Sequence, residues 1–205
     1  MSCNRHDQPT LPGIEEPIEY PTLIGLYGHA QAGKSVVANT LVNRHDYTLV
    51  KLAGPLKSMI QGLLWEVGVP MEQTKRMLEG DLKSAVVDQL GFTPRHLMQT
   101  LGTQWGRDTL DPDFWLDIFS VRVSRLRDQG KRVVCDDMRF ANEKGLVERL
   151  GGNCWHIVRP RTNEEAVSQH ASEGALDWVE CWDEVIFNNS TVPVLRDRVA
   201  GILNA

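Results

Sequence analysis

Eight consecutive residues, Gly28-His29-Ala30-Gln31-Ala32-Gly33-Lys34-Ser35, fit the pattern G-x-x-x-x-G-K-[ST] at every defined position. The chemistry of that spacing is anion capture. Gly28 and Gly33 let the chain turn tightly, so that successive amides, those of His29, Ala30, Gln31 and Ala32 among them, converge on one phosphate. A helix opening near Lys34 adds unsatisfied N–H groups and the positive end of its dipole. Lys34 supplies a full charge beside the β- and γ-phosphates of a nucleotide, and the Ser35 hydroxyl suits a magnesium ligand. His29 and Gln31 need no role beyond their backbone amides.

A second group of reactive residue types follows the apolar run Val133-Val134-Cys135. It opens with Asp136-Asp137, where a phosphate loop requires a carboxylate at the end of a neighbouring strand to reach the metal's shell through water. Asp136 is the expected residue and Asp137 the alternative. Met138-Arg139-Phe140-Ala141-Asn142-Glu143 then crowds an arginine and an Asn-Glu pair against the same strand end, with Asn142 a candidate helix cap. Lys57, Arg76, Arg95, Arg107 and Arg122 lie between the second and third strand candidates. Guanidinium forks match phosphate oxygens in pairs, so an acceptor that is itself a phosphate would draw on them.

These groups need a scaffold. Short apolar runs bounded by turn residues predict strands over 22–27, 47–52, 132–135, 153–158 and 184–187. Between them are segments long enough for helices, which implies crossover units and a parallel sheet. Helix starts are signalled at Thr93-Pro94 and Asp111-Pro112, each a capping side chain before a proline. Phe114, Ile118, Val121 and the stem of Arg125 fall on one face of a helix over 113–129. Further helices are expected over 36–42, 142–150 and 192–203. The expected fold is α/β: three layers around a central parallel five-stranded sheet, with helices on both faces. Residues 1–20, carrying Pro9, Pro12 and Pro17, read as a flexible leader to one domain over 21–205.

Composition narrows the function. At 205 residues and a formal net charge of −5, with no basic block, the chain is not expected to grip a polynucleotide. No apolar run approaches the roughly 18 residues of a spanning helix, and a cytoplasmic location is the expectation. Cys3, Cys135, Cys154 and Cys181 lack metal or redox spacing, so they read as reduced thiols, with Cys135 and Cys154 buried. A guanine-reading Asn-Lys-x-Asp is absent, which removes regulatory GTPases. The residue after Asp136 is an aspartate rather than the water-positioning glutamate of motor ATPases. A small kinase remains, with a phosphate loop, an acceptor-binding helical insertion at about 55–128 and a lid at about 159–182. Kinases with other acceptors (a ribonucleotide, dephospho-coenzyme A or a sugar acid) stay open at this point, as does a nucleotide-dependent binding module. Six tryptophans leave room for a homodimer surface, though core use is the commoner explanation.

Beyond the phosphate loop, Leu52-Ala53-Gly54-Pro55-Leu56-Lys57, the run from Pro94-Arg95 through Gln99-Thr100-Leu101-Gly102-Thr103 to Arg107, and Asp113-Phe114-Trp115 form an ordered series. The series continues with 136–143 and His170-Ala171-Ser172-Glu173. In these motifs, from about 24 to 189, the sequence resembles the deoxynucleoside monophosphate kinases of bacteriophages and related bacterial elements, a branch of the P-loop nucleoside monophosphate kinases. The resemblance implies ATP on the phosphate loop, with Mg2+, and a deoxynucleoside monophosphate between the insertion and the strand-end acids. It implies that Lys57, Arg95, Arg107 and Arg139 hold the acceptor phosphate. Gly102, Thr103 and Trp115 would shape the base and sugar pocket, Trp115 either as a stacking face or as a core aromatic. Asp137 and Glu143 would orient Arg139 or meet the base, and the lid residues Arg159 and Arg161 would cover the adenine or clamp the transferred group. His170 and Glu173 receive no mechanistic role.

Overall fold

A computed structural model describes residues 20–160 and 176–204. Five strands form one parallel sheet: β1 (Leu23–Tyr27), β2 (Tyr47–Leu49), β3 (Arg132–Cys135), β4 (Asn153–Val158) and β5 (Glu184–Phe187), in the order β2-β3-β1-β4-β5. All five residues of β1 are buried, as a central parallel strand covered on both faces must be. The order reverses at β1, and ligands of open α/β sheets bind beyond the strand carboxyl ends at such a point. The phosphate loop leaves β1 there.

On one face α1 (Lys34–His45) and α7 (Val192–Leu203) bury Val37, Leu41, Leu195 and Val199 against Ile24, Leu26, Trp155 and Ile186. On the other, α5 (Phe114–Asp128) and α6 (Ala141–Arg149) pack Leu116, Phe119, Val123 and Val147 against Leu23, Val133 and Cys135. The expected three-layer arrangement is what forms. A third core, around Ile60, Leu64, Met77, Leu78 and Val87, lies within the insertion. It is built from α2 (Gly54–Glu66), α3 (Met71–Glu79), a 3-10 turn (Asp81–Ser84), α4 (Pro94–Gln99) and a π-helix (Thr100–Leu110).

Several local expectations are corrected. Strand β2 stops at Leu49 rather than residue 52: after Val50 N–H donates to the Val134 carbonyl (2.9 Å), the amides of Leu52 and Ala53 turn to the Asp137 carboxylate (2.8 and 3.1 Å). Helix α5 buries Trp115, Leu116, Phe119 and Val123, and Val121 is 49% exposed. The buried face is turned away from the Phe114–Val121 stripe because this helix carries apolar residues around much of its girth, and Leu116, Phe119 and Val123 take the sheet. Asp111 is not the N-cap of α5, which begins at Phe114 after Asp113; it closes the preceding π-helix, and its Oδ1 accepts from Asp113 N–H (2.8 Å). Asn142 lies inside α6, whose N-cap is Phe140, and its amide donates to Asp113 Oδ1 (3.1 Å). Thr93 does cap α4, accepting from His96 N–H at 3.1 Å.

Candidate active site

The phosphate loop spans the gap from β1 to α1. Gly33 is the N-cap of α1 with φ 107°, and a Cβ there would stand 2.7 Å from Asn188 Nδ2. Only glycine fits that close approach in that backbone region. The same Asn188 amide, just beyond β5, donates to the Ala32 carbonyl (2.8 Å), so a strand two places away fixes the loop. Lys34 Nζ folds back onto the carbonyls of Gly28 (2.5 Å) and His29 (2.9 Å). The ammonium is thereby held on the loop's own carbonyls, which a phosphate would replace as its acceptors. Ser35 is exposed at the helix start.

Side chains from β1, the loop and the segment after β4 hold the flank of the loop. Asp177 accepts from Tyr27 Oη (2.8 Å) and pairs with His29 Nε2 (3.0 Å). Arg159 donates to the Gln31 carbonyl (3.2 Å), and Gln31 has a left-handed φ of 62°. His29, Ala30, Gln31, Ala32, His156 and Arg159 border a cavity of about 210 Å³ beside the loop. Arg161, His170 and Glu173, the greater part of the expected lid, lie outside the described residues, as do Cys3 and residues 1–19 of the expected leader.

Strand β3 runs parallel to β1 with Cys135 opposite Gly25, so Asp136 and Asp137 emerge beside the start of the phosphate loop. Their environments divide their work. Both Asp137 oxygens accept backbone amides, from Leu52 and Ala53, buckling the exit of β2 to that of β3. Asp136 is buried, and its Oδ1 has no hydrogen-bond partner among the described residues. Burial pushes its carboxyl above the usual carboxylate range, Lys51 and Lys57 pulling the other way and Asp137 adding to the rise. An orphaned carboxylate oxygen at this strand end fits a cation's water shell, whereas Asp137 is already spent. Among the described residues no cluster of three or more His, Cys, Asp or Glu forms a metal cage.

Across from β3, the insertion and the strand ends enclose a cavity of about 320 Å³. Lys57, Arg95, Gly102, Thr103, Arg107, Trp115, Asp137, Arg139 and Glu143 all line it, though they span 57–143 in sequence. Arg76 does not; it pairs with Asp81 on the surface (2.6 Å). Arg122 sits against Gly54, its Nη1 only 2.9 Å from where a Cβ would be. Sequence reasoning missed Lys83, Gln99 and Phe140 on the wall and Lys51 behind it.

Glu143, 5% exposed, shapes one wall. Its Oε2 accepts the amides of Arg139 (2.6 Å) and Phe140 (3.0 Å), fixing the turn that carries Arg139 and satisfying the start of α6. Its Oε1 faces Arg107 Nη2 at 3.4 Å, and the Arg107 guanidinium lies over the Phe140 ring (4.8 Å). Burial pushes the Glu143 carboxyl up to about 7, against the two amides and Arg107, which favour the anion. Trp115 is 6% exposed and acts largely as a core aromatic. Its Nε1 donates to the Gly102 carbonyl (2.9 Å), and its ring contacts Phe114 and Trp105. At Gly106 a Cβ would fall 2.4 Å from that nitrogen, so the π-helix can lie on the indole only where the side chain is missing.

Residues 69–199 match the family described as deoxynucleotide monophosphate kinase. A protein of Acanthamoeba polyphaga mimivirus, provisionally named a deoxynucleotide monophosphate kinase, is 31% identical over 187 residues, covering 86% of this chain and 93% of its own. The chain belongs to the deoxynucleotide monophosphate kinase family. It is accordingly a phosphotransferase acting on a nucleotide monophosphate. Among solved structures, the kinase shares its fold with the dephospho-CoA kinase of Campylobacter jejuni, with a TM-score of 0.54 and 14% identity over 89% of this chain and 96% of that one. At that identity the likeness concerns the fold alone.

Proposed function

We propose that this kinase transfers the γ-phosphoryl group of ATP, seated on the 28–35 loop, to a deoxynucleoside monophosphate held in the 320 Å³ cavity. One observation carries the reading. Five cationic side chains, Lys57, Lys83, Arg95, Arg107 and Arg139, converge on a single cavity at the strand end adjoining the phosphate loop. A dianionic acceptor fits such a wall, and Leu56, Met98, Leu116 and Phe140 offer an apolar surface for its base.

The nucleophile is a phosphate oxygen that is already anionic, so no general base is needed. Rate comes from alignment and from neutralising charge on the transferring group. Lys34 leaves its two carbonyls for the β- and γ-phosphates, Arg139 directs the acceptor phosphate in line, and Arg159 approaches the donor from the lid side. Ser35 and, through water, Asp136 would hold Mg2+, which when bound supplies further positive charge to the phosphates. Asp137 and Glu143 keep the walls in place.

Arg139→Ala tests the acceptor assignment. The KM for the monophosphate is expected to rise by about ten- to a hundredfold, the worth of a charge-assisted phosphate contact, with that for ATP little changed. Equal effects on both substrates would remove Arg139 from the acceptor site.

A further inference from the structure

Within the acceptor cavity the cations are unevenly compensated. Glu143 answers Arg107 on the strand side. On the insertion side Lys51, Lys57, Lys83 and Arg95 gather from four segments; Asp136 feels Lys51 and Lys57 from the strand end, and Glu79 pairs directly with those two lysines. Its Oε1 lies 2.7 Å from Lys57 Nζ and its Oε2 3.7 Å from Lys51 Nζ. Glu79 is the last residue of α3, where the helix dipole disfavours a negative charge. The lysines offset that dipole. Burial raises the Glu79 carboxyl, but the Lys57 contact and the charges of Lys51 and Lys83 outweigh this and hold it below its ordinary value. The nearby Arg76–Asp81 pair closes on itself at the surface.

We propose that Glu79 is an internal stand-in for the acceptor's phosphate, holding Lys57 and Lys51 while the cavity is empty and surrendering Lys57 when the dianion arrives. The inference rests on the cavity being the acceptor site. A carboxylate and a phosphate oxygen present the same hydrogen-bond acceptor to an ammonium, so the lysine stays paired in both states. The exchange keeps clustered ammonium groups from repelling one another in the free enzyme. It also weakens monophosphate binding, since the dianion must displace a charge already in place and then sit near it. Glu79 is thus a specificity- and affinity-setting residue, beyond the groups that grip the ligand.

The test is the dissociation constant of dTMP or dGMP, measured calorimetrically without ATP, for wild type, Glu79→Gln and Glu79→Asp. Whichever of the two binds wild type is used. Glu79→Gln is expected to bind about three- to tenfold more tightly, as removal of one nearby unit charge implies, and Glu79→Asp to stay near wild type. In a Lys57→Met background the gain should vanish. A second readout separates this from a merely structural role. Lys83 is already lowered by burial and by Lys57, with Glu79 opposing and Arg95 and Lys51 adding. Loss of Glu79 should therefore move the alkaline loss of binding to lower pH. Unchanged or weaker binding by Glu79→Gln, or a gain that survives Lys57→Met, overturns the proposal while leaving the acceptor site intact. Failure of wild type to bind either monophosphate would instead overturn the acceptor site itself.

Discussion

Glu143 shows how one side chain carries both architecture and electrostatics. It holds two amides and faces one guanidinium, yet its burial keeps the carboxyl near pH 7. A carboxyl raised in the fold from 4.5 to about 7 contributes stability that is complete below its unfolded value and is lost as pH rises through 7. A shift of that size corresponds to a contribution on the order of 3 kcal/mol. Urea midpoints should therefore fall between pH 5 and pH 8 in wild type. In Glu143→Gln, which can still accept the amides, the fall should be much smaller; an unchanged fall would place the titration elsewhere. Asp136 works in the same direction, since burial also raises its carboxyl in the ligand-free fold. Such groups bear a cost in the empty site that a bound cation or substrate relieves.

At the scale of elements, the phosphate loop with its strand and helix was legible because its chemistry leaves few residue types to choose from. The strand cores were legible from short apolar runs between turns. The 11-residue π-helix was not. An i→i+5 ladder has no residue signature of its own; it forms here because Trp115 presses on the Gly102–Gly106 backbone and Asp111 N–H closes on the Gly106 carbonyl (3.1 Å). Its function is to bring Gly102, Thr103 and Arg107 to the cavity together. Gly106→Ala is expected to destabilise the protein by about 1–3 kcal/mol, because the methyl overlaps the indole. The KM for the monophosphate should rise as well. Near-wild-type thermal unfolding would mean that the π-helix relaxes without harm. Lys83 was missed for a comparable reason: it sits on a four-residue 3-10 turn, and nothing in its neighbourhood announces a cavity.

Over the whole molecule, two sheet-face cores and a separate insertion core form, and the 320 Å³ cavity is lined by residues of the insertion and of the strand ends. The order of segments could be read along the chain, but the pairing of distant side chains could not. Asp137 with Leu52 and Ala53, Asn188 with Ala32, and Asp177 with His29 each join residues 84 or more positions apart. Such contacts come from the parallel topology, which brings the ends of non-consecutive strands side by side. No helix among the described residues is long and apolar enough to cross a membrane.

The proposed reaction passes a phosphoryl group from the loop side of β1 to the cavity beyond β3. ATP labelled at the γ position, incubated with the kinase, magnesium and each deoxynucleoside monophosphate in turn, tests that passage directly. Label should appear in the β-phosphate of a deoxynucleoside diphosphate, only with a monophosphate present, and Lys34→Ala should lower its rate by about a thousandfold or more without loss of fold. Release of label as inorganic phosphate at the same rate with or without a monophosphate would contradict it.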